Sequence, residues 1–300
     1  MESRLTGLVA ATLTPMKSDG SLNLDQVGPV VDRLLDRGIS ALYVCGSTGE
    51  GPLLTGEERR RVAAAYVSAA SGRLPVVVQV GHSSIAEARA LAAHAQQIGA
   101  QAVSAVAPYY FKPETLEVLA DCLAEIAAGA PELPFYYYHI PAVTGVGFDL
   151  VRMLQLAADR LPTLAGIKYT AMTLDELLAL REFDGGRFDI LHGRDEVLLA
   201  ALAVGVRGAI GSTYNFAAPL YRRIVSAFDS GDLEEARRCQ ALSVAMIRAI
   251  FGVGGQPGLK AAMNLVGPDC GPVRLPLVTF TAEQMSELRS KLAAIGFFEW

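Results

Sequence analysis

The 300-residue sequence is short of the residues that several kinds of chemistry require. It has four cysteines, Cys45, Cys122, Cys239 and Cys270, and none forms a C-x-x-C pair. A chain this long and this poor in cysteine has no disulfide framework and fits a reducing, cytoplasmic compartment. Its four histidines, His82, His94, His139 and His192, show neither H-E-x-x-H nor any paired ligand spacing, so no metal centre is expected. Asp195 and Glu196 are adjacent, but such pairs more often cap a following helix than hold a metal. No G-x-S-x-G elbow is present, no P-loop, and no G-x-G-x-x-G after the first apolar run. The "GVGG" of 252–255 follows a helical pattern and is weak as a cofactor loop.

Charge excludes other classes. The net charge is -5, and the basic residues are scattered without a stripe of interleaved aromatics, which gives no reason to expect nucleic acid. No run reaches the ~18 apolar residues of a membrane span. The N-terminal "MESRLTGLVAATLTP" lacks a basic stretch followed by a long apolar core, so no signal peptide is expected. What remains is a soluble globular composition, 51% hydrophobic and 19% charged, with material for a large core.

That material is organised periodically. Short apolar runs lie at 8–15, 41–46, 75–81, 102–108, 134–141, 165–170, 188–193 and 208–213. Helical patterns separate them, and Gly38, Gly72 and Gly99 sit where C′ glycines end helices. About eight strand–helix units match the count and length of a (β/α)8 TIM barrel; a doubly wound open sheet normally stops at fewer strands. Residues 217–300 read as helices only, apart from the loop "PDCGPVRLPLV". The expected division is a barrel over 1–229 and a C-terminal helical extension over 230–300.

Barrel active sites lie at the C-terminal strand ends. Lys168, in "LAGIKYT", shares a face with Gly166 and Thr170 and opposes Ile167. An inward lysine is costly to charge, so one reading is an amine with a lowered pKa that attacks a ketone and forms a Schiff base. The other is an ion-paired or snorkelling lysine. Tyr138 ends the neighbouring strand in "FYYYHIP" and can serve as acid and base beside such an amine, or as a core aromatic with a satisfied hydroxyl. By alternation Tyr136 shares its face one layer deeper, and Tyr137 faces the helices. "GSTGEG" (46–51) sets two hydroxyls and several free N–H groups before a helix, which suits a carboxylate or phosphate, or is an ordinary turn. "GSTYN" (211–215) offers a second such set.

Together "GSTGEG", "YYYHIPAVTG", "GIKYT", "HGRDE" and "GSTYN", in order along nearly the whole chain, resemble the dihydrodipicolinate synthase / N-acetylneuraminate lyase family of class I aldolases. The resemblance implies a (β/α)8 barrel with extra C-terminal helices, no metal or organic cofactor, and a homotetramer built as a dimer of dimers. It implies Lys168 as the Schiff-base lysine for pyruvate, Tyr138 as proton relay, and Ser47 and Thr48 as holders of the pyruvate carboxylate. In "PYYF", Tyr110, in preference to Tyr109, matches a tyrosine that reaches the neighbouring subunit's site. Dihydrodipicolinate synthases carry an arginine where this chain has Val143, and lack of that grip disfavours a carboxylated aldehyde. The resemblance therefore points to the sialic acid lyase branch, with Thr170, Gly193, Asp195, Glu196 and Ser212 along the polyol chain, and the YYYH run looks more like the animal lyases. The alternatives are dihydrodipicolinate synthase, another pyruvate-dependent aldolase or dehydratase, and a non-catalytic sugar-acid binding protein. The stretch "FGVGGQPGLK" (251–260) departs from the pattern and bears on the pocket wall.

Overall fold

The computed structural model describes residues 4–300. Eight parallel strands close into a barrel in sequence order, β8 pairing back onto β1. They are β1 (Gly7–Ala11), β2 (Ala41–Val44), β3 (Val76–Gln79), β4 (Ala102–Val106), β5 (Phe135–His139), β6 (Leu164–Tyr169), β7 (Asp189–His192) and β8 (Gly208–Gly211). The helices are α1 (Val27–Asp36), α2 (Gly56–Ala70), α3 (Ile85–Gln97), α4 (Leu116–Ala127), α5 (Pro141–Thr144), α6 (Leu150–Arg160), α7 (Leu174–Glu182), α8 (Leu198–Ala203), α9 (Tyr214–Asp229), α10 (Leu233–Gly254), α11 (Pro257–Val266) and α12 (Ala282–Ala293). This is the (β/α)8 barrel with additional C-terminal helices.

The strands stop earlier than the apolar runs suggest. The run 134–141 forms a strand only over Phe135–His139, and 208–213 only over Gly208–Gly211. Apolar and small residues continue past the ladder into the loops that roof the barrel, so hydrophobicity does not mark where pairing ends. Helix ends follow local chemistry closely. Gly38, Gly72 and Gly99 follow α1, α2 and α3 with φ of 76°, 73° and 84°, the left-handed geometry of helix termination.

Alternation sorts the side chains into two layers. Phe135 and Tyr137 of β5 face the helices, while Tyr136 and Tyr138 turn inward among Val9, Tyr43, Leu191 and Ile210. The Tyr136 hydroxyl donates to the Asp189 carboxylate at 3.0 Å, one layer below Tyr138. Pro141 opens α5 at its first position, where a missing N–H costs nothing. Helix α9 closes the eighth unit, and α10 packs along α8 and α9. The loop between α11 and α12 runs back to the start of the chain: the Met16 N–H donates to the Cys270 carbonyl at 2.9 Å, and Arg274 Nε to the Gly20 carbonyl at 2.9 Å.

Candidate active site

Lys168 stands near the C-terminal end of β6, paired in register with Tyr138 of β5 and Leu191 of β7. Its Nζ lies 3.9 Å from the ring centroid of Tyr138 and 4.1 Å from that of Tyr43. The side chain is buried, and burial lowers its pKa from the usual lysine value to about 7, with the Asp195 carboxylate pulling the other way. Ring faces favour the ammonium, which tempers the loss of hydration. Burial pushes the Tyr138 phenol up to about 12, partly offset by a hydrogen bond with Ser47 and the charge of Arg194. Tyr138 is therefore a neutral phenol near neutral pH.

Asp195 is buried just past β7. Its Oδ2 accepts from the Thr213 N–H at 2.9 Å and the Thr213 hydroxyl at 2.6 Å. Burial raises its pKa to about 6, against these hydrogen bonds and the attraction of Lys168. Asp195 and Glu196 lie in the first turn of a 3-10 segment that leads into α8, but no side-chain cap bond forms there. The helix-cap reading of the adjacent carboxylates is thus corrected: Asp195 reaches across to the β8 loop. Glu196 lies 3.7 Å from Arg194, whose Nε donates to the Thr170 carbonyl at 3.0 Å. The Thr170 hydroxyl donates to the His139 carbonyl at 2.7 Å, fastening β6 to β5 above the lysine.

The two Gly-Ser-Thr loops meet. Thr48 Oγ1 and Ser212 Oγ lie 2.6 Å apart. Gly193 must be glycine, because a Cβ there would press into the Thr170 methyl and approach the Lys168 side chain. These groups line a cavity of about 300 Å3, together with Ile140, Val143 and Arg194. Nine of the ten site residues expected from sequence border it: Lys168, Tyr138, Ser47, Thr48, Thr170, Gly193, Asp195, Glu196 and Ser212. Tyr110 does not. It is 77% exposed and packed edge-on to Phe111 with centroids 5.1 Å apart, outside the lining of its own chain's cavity.

Sequence reasoning missed other contributors. Tyr43 flanks the lysine, and its inward position follows from strand alternation. The far wall comes from α10, α11 and the turn between them, through Ile247, Phe251, Gln256 and Leu259. Only the unusual 251–260 stretch hinted at this; the contacts are long-range and leave no local pattern. Among the described residues, no group of three or more His, Cys, Asp or Glu side chains is arranged to hold a metal ion.

A family model described as the dihydrodipicolinate synthetase family matches residues 4–295. N-acetylneuraminate lyase of Pongo abelii is 39% identical over 100% of this chain and 95% of its own length. The solved structure of Proteus mirabilis N-acetylneuraminate lyase superposes with a TM-score of 0.96 at 38% identity, covering 98% of this chain and 100% of that one. Dihydrodipicolinate synthase from Cyanidioschyzon merolae, solved with lysine bound, gives 0.90 at 28%, covering 98% and 99%. By identity the Pongo and Proteus lyases stand alike, at 39% and 38%, while the sialic acid aldolase of the bacterium Ruminococcus gnavus is 25% identical over 99% of this chain and of that one, with a TM-score of 0.93.

Proposed function

The chain belongs to the dihydrodipicolinate synthetase family, and from that premise we propose that it is a class I aldolase cleaving N-acetylneuraminate reversibly to N-acetylmannosamine and pyruvate. The observation that carries the reading is Lys168, a buried lysine whose amine titrates near neutrality beside a protonated phenol in the barrel's cavity. The free amine adds to the keto carbon of the open-chain sugar acid, and loss of water leaves an iminium. Tyr138 supplies the proton for the departing water. The bond between the third and fourth carbons then breaks. Its electrons flow into the iminium to give an enamine, while the hydroxyl proton leaves through the tyrosine and the sugar departs as an aldehyde. Protonation of the enamine and hydrolysis return pyruvate and the free amine. The iminium is the electron sink, so the reaction calls on no further cofactor.

In this reading Ser47 and Thr48 hold the keto-acid carboxylate by hydroxyl and backbone N–H groups. Thr170, Gly193, Asp195, Glu196 and Ser212 face the polyol. Val143 gives an apolar wall where a carboxylated aldehyde needs a bidentate cation, which favours the sugar over aspartate semialdehyde. Tyr110 and Phe111, exposed on one chain, suit a subunit contact in a dimer of dimers that brings Tyr110 to a neighbour's cavity. No helix of the described residues is long and apolar enough to cross a membrane, and a cytoplasmic location fits a substrate that is a small sugar acid.

The test is a paired assay: pyruvate release from N-acetylneuraminate, against condensation of pyruvate with aspartate semialdehyde. The reading expects turnover in the first and little in the second. Turnover only in the second would overturn the substrate choice.

A further inference from the structure

Among the described residues two lysines are more than nine-tenths buried, Lys168 and Lys260, and only the first borders the cavity. Lys260, on α11, donates to Glu50 Oε1 at 2.7 Å and to the Pro272 carbonyl at 2.7 Å. The other Glu50 oxygen accepts the Arg274 N–H at 2.9 Å. Both side chains of the pair are only 3% exposed. A buried ion pair is weak evidence for stability, since apolar replacements often cost nothing; its surer use is to fix one arrangement among several.

The arrangement in question is the 46–51 turn. Glu50 adopts φ 57°, a left-handed conformation unusual for glutamate. Its N–H closes back onto the Ser47 carbonyl at 3.1 Å, and the Gly51 N–H onto that of Gly46 at 3.0 Å. The Gly49 carbonyl accepts from the Thr14 hydroxyl at 2.6 Å. On the same helix as Lys260, Leu259 lines the cavity, and the Gln256 amide at its N-terminal end reaches the Ser47 carbonyl at 3.4 Å. The loop beyond α11 is itself fastened: Arg274 forms a two-pronged contact with Glu58, at 2.6 and 2.7 Å, on the helix that follows the turn.

We propose that the Glu50–Lys260 pair is a positioning device through which the C-terminal helices lock the 46–51 turn, aiming Ser47 and Thr48 at the keto-acid carboxylate and so setting affinity for pyruvate. This rests on the reading of Ser47 and Thr48 given above. Lys260→Met alone leaves the Glu50 carboxylate buried without its counter-charge, held only by the Arg274 N–H, and invites unfolding. The informative variant is the double Glu50→Gln/Lys260→Met, which removes both charges at nearly constant volume. Two readouts separate positioning from packing: KM for pyruvate against kcat in condensation with N-acetylmannosamine, and amide hydrogen exchange across 46–51. The expected result is a KM raised about tenfold or more, kcat changed far less, and faster exchange in the turn. Unchanged KM and unchanged exchange, with only the melting temperature shifted, would overturn the proposal. If the unaltered protein shows no turnover with pyruvate, the reaction reading fails instead, and exchange across 46–51 alone decides whether the pair holds the turn.

Discussion

A lysine ammonium loses much of its hydration inside a barrel, and what surrounds it decides how much is given back. At Lys168 burial outweighs the attraction of the Asp195 carboxylate and leaves the pKa at about 7, and two tyrosine faces lie against the amine. Tyr138 turns its ring face toward the amine, and under the proposed reaction its hydroxyl is the proton donor. Tyr138→Phe keeps the ring and removes the hydroxyl. It should cut kcat by roughly 10²–10⁴-fold while the lysine still forms its imine, as read by steady-state rates beside adduct mass. A loss of less than about threefold in kcat would strip the phenol of its role.

The strand–helix units carry their own signatures. Alternation within "FYYYHIP" separates the inward Tyr136 and Tyr138 from the outward Tyr137, and the C′ glycines mark three helix ends. Lys168, Tyr138 and the two Gly-Ser-Thr loops were legible because strand ends in a barrel converge on one face. What sequence could not supply was pairing between distant elements. Asp195 with Thr213, Glu50 with Lys260, and the wall of Ile247, Phe251 and Leu259 depend on which helix lands on which loop. The exact strand ends were illegible for a related reason, since cavity-lining residues such as Ile140 are as apolar as the strand before them. Helix α5 is one turn long and presents Val143, 72% exposed, at the rim. Val143→Arg places a cation there. It should lower kcat/KM for N-acetylneuraminate by about tenfold or more and raise binding of carboxylated aldehydes, measured by competition between the two. No change in either direction would detach Val143 from substrate choice.

Across the whole molecule, the row His139–Tyr169–His192 runs over β5, β6 and β7 on the face opposite Tyr138 and Lys168. Burial pushes both histidines down to about 4, and His192 has no hydrogen-bond partner on either ring nitrogen. The unfolded chain binds these protons near the ordinary value of ~6.5, while the folded protein binds them only near 4. Stability from these groups is thus full above pH ~6.5 and drains as pH falls towards 4, by up to a few kcal/mol each. Asp195, raised to about 6, acts in the opposite sense over part of that window. Comparison with variants isolates the histidines: His139→Asn and His192→Asn should flatten the fall in urea midpoint between pH 6.5 and 4.5. An unchanged slope would show that neither ring governs acid stability.

The central claim concerns one amine in one cavity. Borohydride reduction in the presence of pyruvate, with the adduct mapped by peptide mass and followed against pH, tests it most directly. The account predicts a single adduct on Lys168, with a trapping rate that rises with pH as the amine is freed and reaches half its plateau near pH 7. No adduct, an adduct on another lysine, or a rate still climbing steeply above pH 9 would contradict it.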